Sequence, residues 1–191
     1  MLRSNLLAVA LTGTLVSPAL AHTGVDQVTS FADGFAHPLR GADHILAMTT
    51  LGLWAVSAGG RAIWVWPMTF VAAMLAGFAA AGLGLAMPFV ETVIARSVVA
   101  LGLFVALALK APLYLGAAIA DLFAFFHGHA HGAEAAAESL IPYAAGFAVT
   151  TAALHAGAIG LGLFAKGSTG KAVLRATGGV AALSGLALMV G

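Results

Sequence analysis

From position 34 onward the chain is a succession of apolar stretches separated by turns of only a few residues. They read as spans of about 34–57, 63–87, 92–109, 113–131, 141–164 and 172–190. About 20 apolar residues at ~1.5 Å rise each cross the ~30 Å hydrocarbon core of a bilayer as a helix. A soluble domain could not cover this much apolar surface, because 61% of the 191 residues are hydrophobic and only 8% are charged. The expected fold is all-α, a polytopic six-helix transmembrane bundle forming one domain over residues 22–191. Gly59-Gly60-Arg61, Pro88, Lys110-Ala111-Pro112 and the run from Lys166 to Lys171 mark the breaks, and Trp64 and Trp66 mark an interface.

Residues 1–21 read as a cleaved secretory signal peptide: Arg3 supplies the charged start, Leu6 to Val16 the apolar core, and Ala19-Leu20-Ala21 the cleavage site. The alternative, an uncleaved membrane helix, has too short an apolar run to span. The mature chain would begin at His22. Charge gives the orientation. Arg61, Lys110, Lys166, Lys171 and Arg175 fall in or beside the first, third and fifth connections, whereas Asp26, Asp33, Glu91, Glu134 and Glu138 lie near the mature N-terminus and the other two, with Arg96 the only nearby base. Positive connections stay in the cytoplasm, so both mature termini are expected outside the cytoplasm, in a bacterial inner membrane.

Composition removes several function classes. A net charge of +1 without a basic run argues against nucleic-acid binding. No cysteine is present, so disulfides and thiolate ligands are excluded. Gly167-Ser168-Thr169-Gly170-Lys171 lacks the first glycine of a nucleotide-binding loop, and neither H-E-x-x-H nor G-x-S-x-G occurs, so neither a nucleotide partner nor an enzyme is expected.

Against this background, His37-Pro38-Leu39-Arg40-Gly41-Ala42-Asp43-His44 concentrates ionisable groups at a span's mouth. Such groups are expensive at membrane depth unless they serve a site. On a continuous helix His37, Gly41, His44 and Met48 would share one face, with Asp43 to its side. Pro38 would kink that helix and free a carbonyl. The plainer alternative makes His37 an interfacial cap, sends Arg40 outward and leaves Asp43 and His44 as a neutralising pair. The second cluster is Phe126-His127-Gly128-His129-Ala130-His131-Gly132-Ala133-Glu134. If helical, His127, His131, Glu134 and Glu138 form one stripe, with His129 on the other face. If Gly128 and Gly132 unwind the chain, the same residues form an external loop. The orientation places both clusters at the outer side of the membrane. His155 lies deeper in the fifth span, one turn below Thr151, and reads either as a relay or as a core histidine. His22 would add an α-amine and an imidazole. Asp121 is expected to pair inside the bundle, and Gly77, Gly82, Gly84, Gly102, Gly116, Gly146, Gly157, Gly160 and Gly162 to serve close helix packing.

The pattern His37-Pro-x-x-Gly-x-Asp43-His44 followed by Met48, together with Phe126-His127-Gly-x-Ala-His131-Gly-x-Glu134, resembles the HupE/UreJ family of membrane proteins associated with hydrogenase and urease gene clusters. The resemblance implies a nickel permease whose metal path uses His37, Asp43, His44, His127, His131 and Glu134. Met48, His129, His155, Glu138 and His22 are further candidates. The expectation is therefore secondary transport of Ni²⁺ into the cell, with Co²⁺ or Zn²⁺ as alternatives, no tightly bound cofactor, the lipid bilayer as surroundings, and hydrogenase or urease maturation proteins as recipients. A non-transporting metal-binding accessory or sensor, and an intramembrane His-rich metalloenzyme, are the competing readings.

Overall fold

The computed structural model describes residues 30–135 and 140–190. Among the described residues there is no β-strand. The elements are α1 (Phe31–Ala36), a 3-10 turn (His37–Leu39), α2 (Ala42–Ala58), α3 (Ala62–Gly82), α4 (Val90–Ala106), α5 (Leu113–Glu134), α6 (Leu140–Phe164) and α7 (Gly167–Leu188). Of these, α3 and α6 are long and apolar enough to cross a membrane. The expected signal peptide lies outside the described residues, as do His22 and Glu138.

The exterior carries large apolar side chains, and polar groups are buried within the apolar core. Phe164, Tyr114 and Ile141 are exposed by 86%, 83% and 83%, while His44, His127, Thr150, Thr151 and His155 are buried. Polar groups turned inward beneath an apolar exterior suit surroundings that cannot hydrogen-bond.

The expected first span is not one helix. Ser30 and Asp33 form the capping box that their spacing suggests: the Ser30 hydroxyl accepts from the Asp33 amide at 3.1 Å, and the Ser30 amide donates to Asp33 Oδ2 at 3.1 Å. The helix so started ends after one and a half turns. Pro38 has no amide to continue the ladder, and the chain tightens into the 3-10 turn, closed by the Arg40 amide on the His37 carbonyl at 2.9 Å. Gly41 is extended, with φ −88° and ψ 117°, and α2 starts afresh at Ala42. The single stripe through His37, Gly41, His44 and Met48 therefore does not exist as one helix face. The carbonyl of Phe35, at the end of α1, is satisfied by the Thr150 hydroxyl of α6 at 2.6 Å.

Two other boundaries differ from expectation. Helix α7 begins at Gly167 and takes in most of the segment read as a loop over 166–171. Helix α5 runs unbroken to Glu134, which settles the helical alternative for His127 to Glu134. Gly128 and Gly132 do not unwind it. They are where α5 touches α3: a Cβ on Gly128 would collide with the Met74 carbonyl, and one on Gly132 would lie 2.5 Å from the Phe78 carbonyl. Gly77 of α3 abuts the Phe125 carbonyl in return. Similar contacts join α1 to α6 through Gly34 and Gly146, and α4 to α7 through Gly102 and Gly178. Small residues thus let backbones meet where side chains would hold them apart. Gly157 and Gly160, by contrast, face open space, and Gly84 serves a turn at φ +79°.

At the end of the bundle where α2 finishes and α5 begins, Trp54 and Trp66 pack with ring centroids 4.2 Å apart. Their indole N–H groups donate to the carbonyls of Leu109 and Leu113, each at 2.8 Å. Arg61 lines a cleft with Ala111 and Leu113 at this end, and Arg175 donates to the Ala106 carbonyl at 2.8 Å. The histidine-bearing turns occupy the opposite end.

Candidate metal centre

The break after α1 and the close approach of α5 to α3 bring the two sequence motifs together. His37 leaves the 3-10 turn, and His131 and Glu134 leave the last turn and a half of α5. Glu134 Oε2 lies 3.4 Å from His37 Nε2 and 3.6 Å from His131 Nδ1. One ligand atom from each of these three residues falls within 4.8 Å of the others. The two imidazoles meet edge to face at 4.7 Å. Two ring nitrogens and one carboxylate form a donor set suited to borderline divalent ions of the late first transition row.

Further into the bundle, the His44 ring lies 5.4 Å from that of His131 and 5.6 Å from that of His127. Phe147 packs against His44 at 4.9 Å and against His131 at 4.6 Å, walling the group on the α6 side. The tautomer of His127 follows from its partner. Its Nδ1 is 2.9 Å from the Phe123 carbonyl one turn back, and a carbonyl only accepts, so Nδ1 carries the proton and the lone pair is on Nε2. His44 Nε2 meets the Thr151 hydroxyl at 3.0 Å. Four imidazoles from three elements thus form a connected group with its carboxylate on one side.

The description "HupE / UreJ protein" belongs to the family model that matches residues 9–188. The chain belongs to the HupE / UreJ family. Protein HupE of Rhizobium leguminosarum bv. viciae is 44% identical over 178 residues, which cover 93% of each chain. No solved structure matches the chain.

Not every residue named from the sequence of this HupE / UreJ chain joins the group. His37, His44, His127, His131 and Glu134 do. Asp43 stands apart from the His37, His131 and Glu134 set: its Oδ1 accepts the amide of His44 at 2.8 Å, in the first turn of α2, and so fixes the backbone that carries His44. His129 turns to the other face, as the stripe requires, and its Nε2 donates to the Leu85 carbonyl at 2.6 Å. Met48 is fully buried in the apolar core. His155 lies deeper, fully buried, with its ring 5.2 Å from Phe70 and neither nitrogen hydrogen-bonded among the described residues. Asp121 does not find the expected partner, since its buried Oδ1 makes no hydrogen bond among the described residues.

Four residues of the surroundings escaped the sequence reading of their role. Tyr143 and Phe147 of α6 lie 5.9 Å and 6.3 Å from the His37 ring. Thr151 contacts His44, and the Thr151 hydroxyl is 3.7 Å from the Met74 sulfur of α3. Thr151 was legible as a turn above His155 but not as the neighbour of His44. Aromatic residues and a methionine on apolar helices carry no signal that separates them from ordinary packing.

Proposed function

We propose that this protein is a secondary transporter that carries Ni²⁺ inward across the bacterial inner membrane for maturation of hydrogenase or urease. Membership of the HupE / UreJ family supports the link to those enzymes. The observation that carries the reading is the meeting of His37, His131 and Glu134 at the mouth of a buried group that continues through His44 and His127. An incoming ion exchanges water first for the two imidazoles and the carboxylate, and then for the deeper imidazoles. Ligation needs neutral imidazole and ionised carboxylate, so protons compete with the metal. Asp43 contributes by orienting His44 and by adding negative charge beside the path.

The basic connections support the orientation. Arg61 and Arg175 lie at the end of the bundle remote from the histidines, and positive connections mark the cytoplasmic side. On this reading six helices span the bilayer, the histidine group opens outward and the tryptophan pair closes the inner end.

Uptake of radiolabelled Ni²⁺ into proteoliposomes tests the proposal, with Co²⁺ and Zn²⁺ as competitors. The parent should accumulate nickel, and His44→Ala and Asp43→Ala should abolish most of it. Transport by both variants at the parental rate would mean that the path lies elsewhere. Binding without uptake by the parent would replace transport with the accessory role.

A further inference from the structure

We infer that Thr151 is a positioning residue that sets which nitrogen of His44 is available to a metal, with Met74 completing the arrangement. This rests on the reading of His44 as a ligand. The Thr151 hydroxyl sits between His44 Nε2 at 3.0 Å and the Met74 sulfur at 3.7 Å, and all three side chains are fully buried or nearly so. A hydroxyl has one proton to give. If it goes to the sulfur, the oxygen accepts from His44, which must then carry its proton on Nε2 and its lone pair on Nδ1. If it goes to His44 Nε2, then Nδ1 carries the proton of the neutral ring.

The surroundings of Nδ1 decide between the two. His44 Nδ1 is buried and makes no hydrogen bond among the described residues. A buried N–H without an acceptor is rare in folded proteins, whereas an unused lone pair is tolerated more readily. The first arrangement is therefore the stable one, and the nitrogen left over is a bare lone pair on a ring flanked by His127 and His131. Thr151 and Met74 thus do for His44 what the Phe123 carbonyl does for His127: they take the proton on one ring nitrogen and turn the other into a ligand. They come from α6 and α3, so the tautomer of His44 depends on three helices being in register.

The test uses the full chain in detergent, labelled with ¹⁵N-histidine. It reads Ni²⁺ affinity by calorimetry and the His44 tautomer from its ¹⁵N shifts, the resonance being assigned by its loss in His44→Gln. Thr151→Val should weaken nickel binding by about 10- to 100-fold, the range for loss of a group that orients a ligand. It should also remove the Nε2–H signature. Thr151→Ser should restore both, and Met74→Leu should move the tautomer while leaving the hydroxyl in place. If His44→Gln loses affinity but Thr151→Val keeps the parental affinity and tautomer, the Thr151 role is overturned alone. Failure of Thr151→Ser to restore either property overturns it as well. Parental affinity in His44→Gln overturns His44 as a ligand, and with it the metal-directed part of the inference.

Discussion

Glu134 Oε2 stands 3.4 Å from His37 Nε2, which joins the final turn of α5 to the 3-10 turn beyond α1. Of the three ligand atoms brought together there, the 3-10 turn supplies one, on His37, and α5 supplies two, on His131 and Glu134. Glu134→Gln keeps the shape and removes the charge. It should weaken Ni²⁺ binding by at least about tenfold, or ~1.4 kcal/mol. In a double-mutant cycle with His37→Ala, the two losses should couple by about 0.5–3 kcal/mol, whereas strict additivity in calorimetry would mean that the two residues do not share an ion.

Metal binding should weaken as pH falls. Free imidazole titrates near pH ~6.5, and only the neutral ring has a lone pair to give. Protonation of a ligand histidine therefore removes binding below that range and leaves it intact above. Apparent Ni²⁺ affinity should drop about tenfold per pH unit for each competing proton. Equal affinities at pH 5.5 and pH 7.5 would overturn this expectation.

Thr150 and Thr151 are neighbours with separate tasks. Thr150 closes the end of α1 through the Phe35 carbonyl at 2.6 Å, whereas Thr151 faces His44. Thr150→Val leaves that carbonyl unsatisfied and should cost about 1 kcal/mol of stability. A lower Tm in detergent without a change in the His44 tautomer is the expected signature.

The glycines divide into two groups that alanine substitution should separate. At Gly128 the added methyl meets the Met74 carbonyl, which is backbone and cannot rotate away. Gly128→Ala should destabilise by about 1–3 kcal/mol and push the histidines of α5 away from His44. At Gly157 nothing lies within 4 Å, so Gly157→Ala should be neutral or stabilise by up to about 1 kcal/mol through helix propensity. Thermal unfolding of both variants checks the contrast.

The apolar stretches and the two histidine motifs were legible because length and intramembrane charge are strong constraints on a chain in lipid. That both motifs lie on one side of the bundle was legible too, since it needed only the number of connections, but the convergence of His37, His131 and Glu134 was not. Nor was the break before Ala42. Pro38 announces a disturbance, but a kinked helix and a stopped one have the same local sequence, and Thr150, distant in the chain, supplies the hydroxyl that satisfies the stopped end. Gly128 and Gly132 were ambiguous for a related reason: glycine permits both unwinding and close approach, and only the partner helix chooses. Tyr143, Phe147 and Met74 look like core residues from sequence, and they are core residues. What the fold adds is that the histidines are packed among them.

The interruption at Gly41 also has an electrostatic consequence. Because α2 starts anew at Ala42, the positive pole of its peptide dipoles is directed at the region of His44, which by itself repels a cation. Helix α5 ends at Glu134 on the same side of the molecule and presents its negative pole there. An ion approaching the site is thus drawn by one helix end and opposed by another, and the carboxylate of Asp43, in the first turn of α2, cancels the opposing field. Asp43 thus acts on a cation through its charge as well as through the backbone of His44, and Asp43→Asn should hurt binding more at low ionic strength than at high, where dipole fields are screened.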